Sequence, residues 1–304
     1  MSNVVERMYF AGDIGHGYTK TEKVIFPSKV KVGRNLGFGK KKKDTYEVTM
    51  GGQDYTVGDG SLFTGENRYF TTEYKVALLT SIALNNPEED FIDTLVVTGM
   101  PITRHHRCHK KVEEYYTGMQ ETITVEGREV TIRINEMRVF IEGAYPVLTS
   151  EEGRVITIDM GAGTINVTEF LDGSIVNYTT YPDAMYKMYE EISTYLNVTK
   201  GGDFKPTDIE PILNRKTITI NQEKVDISDI RPIIASHIDG MASLISNTFS
   251  IARADVIYCI GGGSMDTFQY WKKPFPTAKL VEDSQNINRK VFDVIARAIL
   301  EEQM

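Results

Sequence analysis

The sequence predicts an α/β protein of two similar domains around a cleft, with small outer subdomains. Three observations carry this expectation. An apolar strand running straight into Asp-x-Gly-x-Gly occurs at Asp13 and again at Asp159. A third apolar strand, Val256 to Ile260, ends in Gly261-Gly262-Gly263-Ser264. The length of 304 residues suits two domains at ~150 residues each.

Met8 to Ala11 reads as a short strand and Thr19 to Phe26 as a second, ended by Pro27-Ser28, so the glycine turn between them closes a hairpin. Tyr46 to Met50 and Gln53 to Val57 form another hairpin across Gly51-Gly52, with Lys40 to Lys43 in a solvated loop before it. Tyr74, Ala77, Leu78 and Ile82 fall at helical spacing over Thr72 to Leu84, and Asn85-Asn86-Pro87 stops that helix. A strand at Leu95 to Val97, a hairpin of Thr122 to Val125 with Val130 to Ile134, and a separate strand at Met137 to Ile141 follow.

Beyond Gly153 the pattern restarts, with strands at Val155 to Ile158, Ile165 to Phe170 and Ser174 to Tyr178. A helix from Asp183 to Leu196, a loop from Thr199 to Asp203, a small helix-plus-hairpin unit over 207–227 and a long helix from Asp229 to Ala252 come next. Ile287, Val291, Val294, Ile295 and Ala298 mark a last helix from Asn286 to Leu300. The expected division gives 1–155 completed by 285–304 to domain I and 156–284 to domain II, with outer subdomains near 33–70 and 199–228.

Composition narrows the function classes. The formal charge of −8 argues against direct binding to nucleic-acid phosphate, so any DNA association is expected through a partner protein. Cys108 and Cys259 give no disulfide framework and fit a reducing compartment. No run approaches the ~18 apolar residues of a membrane span, and MSNVVERMYF lacks the apolar core of a signal peptide. The expectation is a soluble cytoplasmic protein without membrane partners.

The chemistry concentrates in three loops. In Asp13-Ile14-Gly15-His16-Gly17-Tyr18-Thr19-Lys20, the glycines bring backbone N–H groups close to a ligand, and such a concavity suits phosphate. Lys20 adds positive charge, and Asp13 at the strand end can hold Mg²⁺ through its waters. Alone, this run is also read as a plain turn. Asp159-Met160-Gly161-Ala162-Gly163-Thr164 repeats the design, and two such loops can clamp a polyphosphate from both sides, with Asp159 near the metal and Thr164 donating its hydroxyl. Gly261, Gly262, Gly263 and Ser264 leave a strand end bare enough for a base and sugar to lie on backbone. His105, His106, Cys108 and His109 are a rival constellation with zinc-like spacing, but no second cluster completes four ligands, and interleaved Arg104, Arg107, Lys110 and Lys111 favour a basic helix start.

The order of these loops resembles that of the actin, heat-shock chaperone and sugar-kinase ATPases. The similar stretches are Asp13 to Lys20, Phe26-Pro27-Ser28, Tyr55-Thr56-Val57-Gly58, Asn67-Arg68 with Thr72-Glu73-Tyr74-Lys75, Val97 to Ile102, Val139 to Tyr145, Ile158 to Thr164 and Ile260 to Ser264. Within that superfamily the chain is similar to the ParM/StbA-type bacterial actins that segregate plasmids. The resemblance implies an actin-like ATPase fold of two RNase H-like domains around a nucleotide cleft. It further implies ATP (GTP being the alternative) with Mg²⁺, a filament of the chain itself, and a DNA-binding adaptor linking it to plasmid DNA. It places the water-positioning glutamate at Glu142, with Asp159 as its catalytic companion; an exposed helix-start carboxylate is the other reading of Glu142. His16 departs from the serine, asparagine or tyrosine often found there. A small-molecule kinase and a non-filamentous regulatory ATPase of the same fold are the functional alternatives.

Overall fold

The computed structural model describes residues 8–34 and 42–303; Lys40 and Lys41 of the expected lysine loop lie outside them. The chain divides into two compact units, one from Met1–Glu142 with Asn288–Met304, the other Gly143–Ile287. Each has its own hydrophobic core.

In the first unit the strands are β1 (Met8–Ile14), β2 (Tyr18–Lys20), β3 (Ile25–Pro27), β4 (Lys29–Val32), β5 (Tyr46–Met50), β6 (Gln53–Val57), β7 (Ser61–Leu62), β8 (Phe91–Met100), β9 (Gln120–Val125) and β10 (Arg128–Ile141). They join in one sheet of order β3-β2-β1-β8-β10-β9-β5-β6-β4-β7. β1, β8 and β10 run parallel to one another, while β2 and β3 are antiparallel additions at the edge. Helices α1 (Thr72–Asn85) and α2 (Ile102–Tyr116) belong to this unit. α1 starts on Thr71, whose side chain accepts from Tyr74 N, and buries residues on most of its circumference, Val76 through Ala83 included.

The second unit contains α3 (Pro146–Thr149), β11 (Arg154–Met160), β12 (Ile165–Leu171), β13 (Ser174–Tyr181), α4 (Met185–Lys200), a separate hairpin of β14 (Thr217–Ile220) and β15 (Glu223–Asp226), α5 (Arg231–Thr248), β16 (Val256–Ile260), α6 (Gly262–Trp271) and β17 (Lys279–Leu280). Its sheet runs β13-β12-β11-β16-β17, with β11, β16 and β17 parallel and β12 and β13 antiparallel. This is the same five-strand plan as β3-β2-β1-β8-β10. The repeated Asp-x-Gly-x-Gly is thus the visible part of a repeated domain, and the α/β fold class holds. α7 (Ile287–Glu302) closes the chain. Its Phe292 is fully buried, and a Cβ on Gly99 of β8 would fall 2.2 Å from the Phe292 ring, which is why a glycine stands there.

Four elements differ from the sequence reading. The strand expected over 19–26 is two strands, because Thr21 N bonds Val24 O at 2.9 Å and the Thr21 hydroxyl reaches Asn85 at the end of α1. The strands expected at 130–134 and 137–141 are one, β10, with a bulge between Ile134 and Glu136. That bulge shifts the buried set from even to odd positions and so imitates a break. α4 runs through the expected loop start to Lys200 and stops on Gly201 in the left-handed conformation. The long helix of 229–252 ends at Thr248, with Phe249 extended.

Candidate functional site

Loop one is the turn between β1 and β2. Asp13 pairs in register with Lys20 across it, and Gly15 N donates to Tyr18 O at 3.0 Å. Loop two, between β11 and β12, is built the same way: Asp159 pairs in register with Asn166, and Gly161 N donates to Thr164 O at 2.9 Å. Neither Gly15 nor Gly161 has a positive φ. Their lack of a side chain matters for another reason: a Cβ would stand 2.9 Å from Tyr18 O or 3.2 Å from Thr164 O, against the carbonyl that closes each turn. Ser28 N anchors loop one from outside through Gly17 O, and Tyr186 N, in the first turn of α4, anchors loop two through Ala162 O.

The two aspartates are buried at their strand ends. Lys20 Nζ lies 3.3 Å from Asp13 Oδ2, so cation and carboxylate pair with each other. The His16 imidazole is pushed down to about 3 by burial, then by the guanidinium groups of Arg68 and Arg104, and is neutral at physiological pH.

Glu142 directly follows β10. It is buried rather than exposed at a helix start, and its N–H bonds Met100 O at the end of β8. Asp13, Glu142 and Arg68 all act on Tyr74, whose hydroxyl is pushed up to about 12, chiefly by burial.

The third loop is tighter than a bare glycine run. Gly261 is left-handed (φ 87°), and the helix α6 begins at Gly262. A Cβ on Gly263 would meet Met185 Cγ at 2.6 Å and Met160 O at 2.8 Å, and Ser264 is fully buried. Only Gly262 has room, its nearest neighbour being Gln285 at 3.8 Å. In this loop Gly261, Gly263 and Ser264 are packed inward, and Gly262 is the position able to face a ligand.

Residues 11–144 match the family model of the actin like proteins N terminal domain. Over nearly its whole length the chain is similar to Ta0583, an archaeal actin homolog, with a TM-score of 0.82 at 18% identity, covering 96% of this chain and 99% of that one. The fold is the actin fold. A 15-stranded ParM filament from Clostridium botulinum is similar at a TM-score of 0.81 and 16% identity, covering 96% and 99% of the two chains. Bacillus thuringiensis ParM with AMPPNP is similar at 0.72 and 16% identity, covering 98% and 99%. No curated protein matches this chain by sequence.

The histidine cluster lies on α2, within the residues that the family model matches. His105 Nε2 is 2.9 Å from Val139 O, His109 Nδ1 is 2.6 Å from His105 O, and the two rings stack at 4.1 Å. Each ring thus has a nitrogen engaged with a backbone carbonyl, and no metal-ligand group is found among the described residues. No helix among them is long and apolar enough to cross a membrane. Sequence reasoning passed over Arg68 except as part of a family stretch; its full burial, in a position adjoining loop one, has no signal in composition or spacing.

Proposed function

We propose that this actin-like chain binds and hydrolyses Mg-ATP, and that hydrolysis times assembly and disassembly of a filament of its own copies serving plasmid DNA segregation. One observation carries the reading: both units end their first strand in a buried aspartate and close the following glycine turn with the same N–H to carbonyl bond. The repeated domain accounts for two such turns, and a buried aspartate beside a glycine turn in each is the equipment that binding of a metal-bound polyphosphate calls for.

In this reading Gly15, His16, Gly17, Tyr18 and Lys20 of loop one and Gly161, Ala162, Gly163 and Thr164 of loop two bind phosphate. Asp13 and Asp159 hold Mg²⁺. Their carboxylate oxygens are the donor type Mg²⁺ prefers, and the buried strand ends suit a metal that keeps most of its waters. When bound, the metal neutralises charge on the phosphates. Glu142 orients the hydrolytic water, with Asp159 as its companion. Phosphoryl transfer to water is mostly positioning and charge stabilisation, so this set suffices. Gly261 to Ser264 form the nucleoside end, with Gly262 the exposed part. ATP is the nucleotide of this reading, supported by similar structures described with ADP and with AMPPNP. Filament formation is supported by the similar ParM from Clostridium botulinum, described as a 15-stranded filament, and by a similar ParM described as a non-polymerisable quadruple mutant. The net charge of −8 supports a DNA contact made through an adaptor protein.

The test is light scattering and pelleting of the purified protein with Mg-ATP, beside phosphate release at rising protein concentration. Assembly with ATP and turnover that climbs with protein concentration support the reading. Turnover that needs an added metabolite would instead make the chain a kinase, and a protein that neither pellets nor scatters would end the filament claim.

A further inference from the structure

Arg68 is a charged side chain with almost no access to water (1% exposed). It opens the short turn Arg68–Phe70 before α1. Its guanidinium carbon lies 5.4, 5.3 and 5.5 Å from the ring centres of Phe63, Tyr69 and Tyr74. Nη2 donates to Ile14 O at 2.5 Å and to Gly15 O at 3.0 Å, and Nε is buried without a partner. Among the described residues no carboxylate stands within ion-pair distance of it. Burying an unpaired charge is costly, and rings and carbonyls offset only part of that cost. A positive charge kept at that cost beneath a glycine turn has a use in the turn.

We propose that Arg68 is the positioning residue of loop one, turning and polarising its peptide groups so that the His16 N–H donates to a phosphate oxyanion. This rests on the reading of loop one as a phosphate site. The carbonyl of Gly15 and the N–H of His16 belong to one peptide plane and point to opposite sides of it. With the carbonyl fixed on Arg68, the N–H is fixed facing away from Arg68. The neighbouring Gly15 N–H already closes the turn on Tyr18 O, whereas the His16 N–H makes no hydrogen bond in the described structure. A guanidinium on the carbonyl end withdraws electron density along the peptide and strengthens the donor at the other end. Lysine cannot substitute fully, because the guanidinium rests its planar face among three aromatic rings while Nη2 bonds the two carbonyls, and an ammonium has no such face.

The experiment titrates wild type, Arg68→Lys and Arg68→Met with Mg-ATP and with adenosine, and follows the His16 backbone amide and imidazole by NMR. In wild type, Mg-ATP is expected to move the His16 amide downfield more than its loop neighbours. Arg68→Met should lose about 10- to 100-fold in Mg-ATP affinity, the worth of a hydrogen bond to a charged group, while adenosine affinity stays within about two-fold. Its His16 imidazole should titrate closer to the ordinary range, and Arg68→Lys should fall between. An unshifted His16 amide in ATP-bound wild type overturns the proposal, and this arm needs no variant to fold. So does equal loss of ATP and adenosine, which marks a merely structural arginine. If wild type binds no nucleotide at all, the phosphate-site reading itself has failed; if wild type binds and the variants match it, only the role of Arg68 has.

Discussion

A Cβ built on Gly261 falls 2.5 Å from Oδ1 of Asp159. The strand-end aspartate of loop two and the first glycine of the third loop are therefore in direct contact, and one cannot be altered without moving the other. Gly261→Ala is expected to lower Tm, since a side chain at φ 87° costs roughly 1–2 kcal/mol before any clash. It should also weaken nucleotide binding about ten-fold or more by displacing Asp159. Gly262→Ala, with 3.8 Å of clearance, should leave Tm unchanged. A fluorescent-nucleotide titration and thermal melts of the two variants check this; equal behaviour would show that the contact is not what matters.

Glu142→Gln keeps the size of the side chain and removes its charge. Phosphate release is expected to drop about 100-fold, in line with losing a group that positions the attacking nucleophile, while Mg-ATP-driven pelleting persists. Unchanged hydrolysis would move the water-positioning role to another residue.

Asp13 and Lys20 pair at 3.3 Å, and the proposed function gives one to the metal and the other to phosphate. Asp13→Asn should raise the Mg²⁺ concentration needed for half-maximal turnover with little effect on stability. Lys20→Met should weaken triphosphate binding more than diphosphate binding. Activity titrated against Mg²⁺, and competition between ATP and ADP, read the two effects separately.

His16 gives a pH dependence of known sign. Its folded-state value of about 3 lies below the ordinary 6.5, so between those values the unfolded chain binds the extra proton. Stability from this group is present above pH 6.5 and is lost as pH falls below it. Tm should drop between pH 7 and pH 5, and His16→Phe should flatten that slope. Asp266, pushed up to about 6 by burial and by Glu210, contributes in the opposite direction over pH 4 to 6 in both proteins, so the difference between them isolates His16.

Phe292→Ala removes a fully buried ring from α7 and should cost about 3–5 kcal/mol. Denaturant melts, with hydrogen exchange of α7 and β8, would show the loss concentrated in the first unit. Gly99→Ala is expected to act at the same place by overpacking.

Much of the fold was legible because its repeat is written in short range. Asp13 and Asp159 each sit where an apolar run meets glycines, and hairpin chemistry is local. What escaped depended on partners far along the chain. The Thr21 turn is held by Asn85, and β10 looked like two strands because Asn135 occupies a bulge that reverses which positions face the core. Gly99 reads as a loop residue until Phe292 is placed beside it. At the candidate site, loop geometry was readable from glycine spacing, but the inward packing of Gly263 and Ser264 depends on Met160 and Met185, and the burial of Arg68 on Phe63, Tyr69 and Tyr74. Tertiary neighbours of that kind have no local signature.

The uninterrupted run of β10 has a mechanical consequence. Fourteen residues at about 3.3 Å each make a beam roughly 46 Å long. One end stops beside Glu142; the other forms a hairpin with β9, which is bonded to β5. A tilt at the glutamate end is therefore carried to the outer strands as leverage rather than absorbed by a loop. The bulge at Asn135 is the beam's single soft point, and stiffening it would change how far that motion travels.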